Sequence, residues 1–422
     1  MSDLTPGLFL GIDIGTSGVR ACAVRGGAIV AETAVARHDS ALGEGVDAED
    51  WWRGVEACLD AMGERIDMGS VAALAVDGTS GSMVLVDDEV RPLTPGLLYN
   101  SSGFEAEAER IAAHAPENSI ARGLSSALAR LLRLQSLTDE PGHLCHQADF
   151  IVARLRGRTG ASDESNALKT GYDAEGRRWP DWLKHVGVTA VLPEVHPVGA
   201  AIGTVSKAVR ERFGFRDARI VTGATDSTAA FLAAGVTETG TAVTSLGTTL
   251  ALKVLADRPV TDLSRGVYSH RVGDRWLPGG ASNTGGGVLL QHFSRDEIAS
   301  LSDEIDPDWQ TRFPDAYPLT KRGERFPRND ATLEPRLPER TDDARFLFEL
   351  LHAMARIEKE GYDALHSLGA PYPTRVVTAG GGAKNAVWTV IRSRVLGVPV
   401  EPASNADAAY GMALTASRAS TD

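Results

Sequence analysis

A chain of 422 residues, 43% hydrophobic and 23% charged, is long enough for two cored domains of about 200 residues each and has the composition of an ordinary globular protein. Its formal net charge of −13 argues against a nucleic-acid or anionic-membrane surface as main partner, because sequence-independent binding to either needs clustered Lys and Arg. Three scattered cysteines, Cys22, Cys58 and Cys145, form no metal-ligand pair and read as thiols of a reducing compartment. The opening MSDLTPG lacks a basic leader region, and no apolar run approaches the roughly 20 residues of a membrane span. A cytoplasmic protein is expected.

The stretch from Leu8 to Val24, LFLGIDIGTSGVRACAV, is an apolar strand ending at Asp13, a Gly-Thr-Ser-Gly turn, and a strand alternating at Val19, Ala21 and Ala23. Amides freed by that turn, with the Thr16 hydroxyl and the Asp13 carboxylate, suit phosphate and a divalent ion. Turn geometry alone explains the same residues equally well. Ala28 to Val35 alternates as a third strand of a meander. Ala48 to Met62 has the spacing of an amphipathic helix, with Trp52, Val55, Cys58, Leu59 and Met62 on its apolar face. The continuous apolar run Val71 to Val76 predicts a strand covered on both faces, and it ends in Asp77-Gly78-Thr79-Ser80-Gly81. Ser80 there is a candidate substrate contact or a turn serine bonding its own backbone.

Residues 103–157 read as mostly helical. His143, Cys145 and His146 lack the fourth ligand of a structural zinc set. Polar ASDESNALKTGYD, from Ala161 to Asp173, is a recognition loop in character. In RIVTGATDSTAAFLAA, from Arg219 to Ala234, a strand gives way to a helix opened by Asp226-Ser227-Thr228. Asp226 fits an N-cap, and it equally fits a general base at a strand's carboxyl end. TAVTSLGTTLALKV, from Thr241 to Val254, echoes the first hairpin around Gly247-Thr248, which predicts a duplicated unit whose two loops face one cleft. A glycine-rich run, Gly279 to Gly287, is expected to approach a ligand ahead of a helix. An irregular insertion over 304–342 contains Arg322, Arg325 and Phe326, and a long helix is predicted from Asp343 to Leu368. The strand Arg375 to Ala379 runs into Gly380-Gly381-Gly382-Ala383-Lys384-Asn385 and a helix with Trp388, a pattern suited to a nucleoside or phosphate. Small residues then mark a closing helix from Ala406.

The ordered set IDIGTSG, VDGTSG, TGATDS, TSLGTT, AGGGAKNAVW and AYGMALTA resembles the FGGY carbohydrate kinases of the actin, Hsp70 and hexokinase ATPase superfamily. DGTSG, LLYN, SNALKTGY and GERFPRND look most like the compact D-ribulose kinases. The resemblance implies two α/β ribonuclease H-like domains around a central cleft, each with a mixed five-stranded sheet. The expected boundaries are 1–233 for the sugar-binding side, with a last helix over 406–422 packing back onto it, and 234–405 for the nucleotide side.

The resemblance further implies ATP as co-substrate, Mg²⁺, a small sugar, no nucleic-acid or membrane partner, and a monomer or homodimer. Carried over position by position, Asp226 is the base; Asp13 and Thr16 form the first phosphate loop, with Asp13 near magnesium through water. Gly247 and Thr248 form the second phosphate loop. Gly381, Gly382, Asn385 and Trp388 form the nucleoside element, with Trp388 bounding the adenine. Asp13, Ser80, Asp226 and Ser227 face the sugar. Larger members carry a Trp-x-Asp-x-Arg stretch where this chain has Leu98-Tyr99-Asn100-Ser101-Ser102, so their sugar-binding arginine has no counterpart there. The expected reaction is D-ribulose to D-ribulose 5-phosphate. D-xylulose, L-ribulose, a pentitol or glycerol are alternative acceptors, and an actin- or Hsp70-like ATPase switch is the alternative from another class.

Overall fold

The computed structural model describes residues 7–122 and 126–419; the ends of the expected 1–233 and 406–422 segments, residues 1–6 and 420–422, lie outside the described residues. The chain divides into two compact units, one drawn from 1–233, 270–273 and 407–422, the other from 234–269 and 274–406.

The first unit is built around the strand Leu8–Ile14, all seven residues of which are buried. It pairs antiparallel with Gly18–Arg25, placing Asp13 opposite Arg20, and parallel with Val71–Gly78, placing Asp13 beside Asp77. With neighbours on both edges and layers on both faces, such a strand has no polar side, hence the unbroken apolar run. The sheet order is Ala201–Thr204, Arg219–Val221, Val71–Gly78, Leu8–Ile14, Gly18–Arg25, Ala28–Ala36, and the short Ala224–Thr225 also pairs with Val71–Gly78. Seven strands replace the expected five. The additions are Ala224–Thr225 and the antiparallel edge Ala201–Thr204, hidden in sequence by its Gly- and Pro-rich surroundings.

Helix Glu49–Gly63 covers one face, burying Trp51, Val55, Cys58, Leu59 and Met62. Trp51, rather than Trp52, is the fully buried tryptophan, and its ring meets Phe150 edge-on at 6.1 Å. The expected helical stretch 103–157 is interrupted by a strand, His143–His146, antiparallel to Met83–Val86. His146 is spent on Asp149 (2.6 Å) and Thr170 (2.9 Å), and His143 on Asp88 (2.7 Å).

The closing helix Ala408–Arg418 is started by Asp407, whose carboxylate accepts from the amides of Ala409 (2.9 Å) and Tyr410 (3.4 Å). It is wedged against Leu8–Ile14 and the helix Asp226–Ala233 at separations that leave no room for a Cβ. A methyl on Gly411 would lie 2.1 Å from the Ala229 carbonyl oxygen, and one on Gly11 would lie 1.9 Å from that of Ala409. Gly411→Val is therefore expected to cost about 3 kcal/mol or more, because backbone rather than a flexible side chain must yield. A urea midpoint equal to wild type would refute that packing argument.

The second unit repeats the scheme. Within it the strand order is Arg275–Ser282, Leu250–Val254, Thr241–Leu246, Arg375–Ala379, Val400–Pro402. Thr241–Leu246 has an antiparallel hairpin partner on one side and parallel strands beyond the other, as Leu8–Ile14 has. Shared strand order supports duplication of the unit. One glycine expectation is corrected here: Gly279 and Gly280 lie inside a strand, where a Cβ would meet the Leu252 carbonyl oxygen at 2.2 Å and the Phe326 ring at 2.5 Å. They admit Phe326, a fully buried core side chain from the irregular insertion, rather than a ligand. Among the described residues no helix is long and apolar enough to cross a membrane.

Candidate active site

In the first unit, three parallel strands end side by side. Asp13 is in register with Asp77, and Asp77 with Ala224, so the chain enters Asp226 next to both carboxyls. Asp13 is 1% exposed and pairs with Arg20 at 2.8 Å; the same guanidinium reaches Asp407 at 3.2 Å. Burial works against the Arg20 cation, and the charges of Asp13, Asp407 and Asp77 more than offset it, so Arg20 stays protonated.

Asp77 is fully buried, and neither of its oxygens has a hydrogen-bond donor among the described residues. Its carboxyl gains a bond only by carrying a proton itself. Burial, then the charge of Asp13, hold it well above the ordinary aspartate range. Burial also pushes Asp13 upward, with Arg20 opposing. Asp226 contributes to the field at both and is itself half-buried, its carboxylate accepting from the amide of Ser227 at 2.6 Å.

Thr16 and Ser227 are exposed and Ser80 half-buried. The turn holding Ser80 is tied down by residues the sequence reading missed. Gln147 accepts from the Thr79 amide (3.0 Å) and hydroxyl (2.8 Å), and the Ser82 hydroxyl accepts from the Tyr99 amide (2.9 Å). Arg130, buried at 1% exposure, donates to the Tyr99 carbonyl. Nothing in local spacing marks these side chains, since their partners lie 17 to 68 residues away.

The loop Ala161 to Asp173 turns inward rather than outward. Asp163 accepts from the amides of Ser165 and Asn166, both at 2.8 Å, and from the Asn166 side chain at 2.7 Å. Burial, with the Asp149 charge adding, pushes Asp163 up to about 7. A raised folded-state value means its stabilising contribution is complete below the ordinary aspartate range and is lost as pH rises through about 7. Asp163→Asn keeps the cap, and Asn166, whose side-chain oxygen has no partner, flips its amide to accept from it. The variant should thus gain stability relative to wild type between pH 4 and 8, by at most about 4 kcal/mol. Parallel unfolding curves for the two proteins across that range would refute this.

In the second unit, Ser245 is in register with Ala379, so the turns that follow both strands lie together. Gly247 and Thr248 are exposed, and their carbonyls accept from the amides of Gly286 (2.9 Å) and Gly287 (3.0 Å). Gly380 takes φ +83° where a Cβ would strike the Leu246 carbonyl oxygen at 2.7 Å, so glycine is required twice over. Gly381 is exposed. Asn385 caps the helix Ala386–Leu396 through the Trp388 amide (2.9 Å) and donates to Ser302 (2.8 Å). Trp388 departs from its expected place as a wall for the adenine. At 2% exposure it is a core side chain, and a Cβ on Gly382 would meet its ring at 2.8 Å. It supports the Gly381-Gly382 turn from beneath, because a helix started by Asn385 turns position 388 inward.

Both sheets, each with a glycine-threonine hairpin at the end of its central strand, define the duplicated α/β architecture of the actin, hexokinase and Hsp70 ATPase superfamily. Family models match both halves: residues 8–233 as the N-terminal and 242–420 as the C-terminal domain of the FGGY family of carbohydrate kinases. The chain belongs to that family and is a sugar kinase with ATP as co-substrate. It is similar to the xylulose kinase of Escherichia coli K12, at 24% identity over 97% of this chain and 89% of that protein. Among solved structures it is similar in fold to a xyloylose kinase from Brucella ovis, with TM-score 0.86, 21% identity and coverage of 98% and 91% of the two chains. The Plasmodium falciparum glycerol kinase with ADP gives TM-score 0.81 at 15% identity, covering 98% and 89%.

Proposed function

We propose that this kinase phosphorylates a ketopentose, D-ribulose, giving D-ribulose 5-phosphate, with Asp226 as general base. The observation that carries the reading is a half-buried carboxylate at the first position of a helix, beside two buried carboxyls at the carboxyl ends of parallel strands. Phosphoryl transfer asks a base chiefly to orient the hydroxyl and to accept its proton late, which a carboxylate at the start of a helix can do.

Ser80 and Ser227 supply hydroxyls to the sugar, and Thr16 a hydroxyl to phosphate. Gly247, Thr248, Gly381 and Gly382 present backbone to the nucleotide, with Asn385 and Trp388 holding the last two in place. Magnesium is held by one or two carboxylates plus phosphate oxygens and water rather than by an all-protein cage. The carboxyl oxygens of Asp13, Asp77 and Asp226 at adjoining strand ends are a hard-oxygen donor set of the kind that suits such an ion. Asp13 would hold it through water, and the ion would neutralise charge on the phosphates.

D-Ribulose is preferred over D-xylulose because Leu98 to Ser102 contains no arginine, and the nearby Arg130 is buried and engaged with the Tyr99 backbone. D-Xylulose is the second reading, favoured by the names of similar proteins. Initial rates at fixed ATP across D-ribulose, D-xylulose, L-ribulose, pentitols and glycerol decide between them. A higher kcat/KM for any acceptor but D-ribulose retires the assignment.

A further inference from the structure

We infer that Ser165 is a positioning residue for Asp226: its hydroxyl ties together the two threonines that flank the base. The inference rests on the reading of Asp226 given above. Ser165 Oγ lies 3.0 Å from Thr225 Oγ1, 3.2 Å from Thr228 Oγ1 and 3.3 Å from His270 Nδ1, and it accepts from the Thr225 amide at 3.2 Å. Thr225 and Thr228 are themselves linked at 3.2 Å. Ser165, Thr225 and Thr228 are fully buried and His270 is 3% exposed.

Thr225 is the last residue of a strand and Thr228 lies in the first turn of the helix after it, so Asp226 sits on the bend between them. Where a strand turns into a helix, the direction of the first side chain follows the backbone angles of the bend. Groups that fix residues on both sides of the bend therefore fix the carboxylate. Bonds of the Asp226 carboxylate to its neighbouring amide cannot do this, because they move with the bend.

The knot is anchored at its far side. Asp163 holds the Ser165 amide at 2.8 Å. Arg271 donates to the Ala174 carbonyl at 2.8 Å, and Arg177 pairs with the buried Glu164 at 3.1 Å. His270 and Arg271 come from a segment, 270–273, that belongs to the first unit although the sequence on either side of it belongs to the second. Four polar groups converging in a buried site from positions 165, 225, 228 and 270 are costly unless mutually satisfied, and here each bonds another.

The test uses the full-length enzyme with ATP and its best acceptor sugar. A displacement of about 1 Å costs on the order of 100-fold in rate, so Ser165→Ala should lower kcat 10- to 100-fold while KM for ATP stays within twofold. Thr228→Val, of equal size but without the hydroxyl, should do the same, and Thr228→Ser should restore kcat to within about threefold of wild type. In an Asp226→Ala background, Ser165→Ala should add no further loss, since a residue that acts through the base has nothing left to position. Wild-type kcat in either Ser165→Ala or Thr228→Val, or a Thr228→Ser enzyme as slow as Thr228→Val, overturns the inference. Should Ser165→Ala not fold, the two Thr228 variants decide alone. A wild-type rate in Asp226→Ala removes the base itself and the inference with it, whereas full loss there alongside an unaltered Ser165→Ala removes only the inference.

Discussion

Replacing Asp226 with alanine is expected to lower sugar phosphorylation by about three orders of magnitude or more, while ATP affinity stays within about twofold. A positioned general base contributes about 10²- to 10⁴-fold, and the same carboxylate also aims the acceptor hydroxyl. Asp226→Asn keeps the size and a hydrogen-bonding oxygen but cannot take the proton, so it should be nearly as inactive. ATP affinity is spared because the nucleotide contacts proposed here, on Thr16, Gly247, Thr248, Gly381 and Gly382, do not include Asp226, and all but Thr16 lie in the other unit. Steady-state rates and nucleotide titration measure the two halves of the claim. ATP turnover that needs no sugar and survives Asp226→Ala would favour the ATPase-switch reading instead.

The second large effect is one of stability. Arg392 and Glu358 are both fully buried in the second unit and form a two-pronged pair at 2.6 and 2.7 Å. Glu358 also accepts from Thr244 (2.5 Å), Arg392 donates to Thr378 (2.7 Å), and Thr244 bonds the Tyr362 hydroxyl (2.8 Å). Arg392→Ala strands a buried carboxylate and should cost about 3–5 kcal/mol.

Replacing both partners by apolar residues, as in Glu358→Leu with Arg392→Met, should recover part of that loss. Recovery stays incomplete because the hydroxyls of Thr244 and Thr378 then lose their charged partners. Thr244 and Thr378 lie on the strands leading to Gly247-Thr248 and Gly380-Gly382, so the single variant should also raise KM for ATP more than KM for sugar. An unfolding free energy within 1 kcal/mol of wild type for Arg392→Ala would contradict the assigned role.

Much of this was legible without coordinates. Apolar runs predicted the strands Leu8–Ile14 and Val71–Gly78, because a strand covered on both faces has mostly one kind of residue to offer, and the echo of the first hairpin predicted Thr241–Leu246. Spacing predicted the helices Glu49–Gly63 and Asp343–Ser367 to within a residue or two at each end. The strand His143–His146 was missed, since four residues carry too little periodicity and its partner, Met83–Val86, is about 60 residues away. Gly279 and Gly280 were misread because glycine that admits a ligand and glycine that admits a phenylalanine are the same letter. Trp388 was misread because a conspicuous aromatic at helical spacing gives its face only after the helix start is fixed by Asn385.

The sequence by itself determined that there are two similar α/β halves, each with a glycine-threonine hairpin, and that Asp226 opens a helix. Those properties follow from hydrophobic period and turn chemistry, which act over a few residues. Tertiary structure alone decided that Asp77 lies buried beside Asp13, its acidity weakened by that burial, that Arg392 and Glu358 are buried together, and that His270 returns to Ser165. Each of these is a pairing across 30 to more than 100 residues, and its strength comes from the exclusion of water. Local sequence carries no measure of that exclusion, because burial is a property of the assembled core.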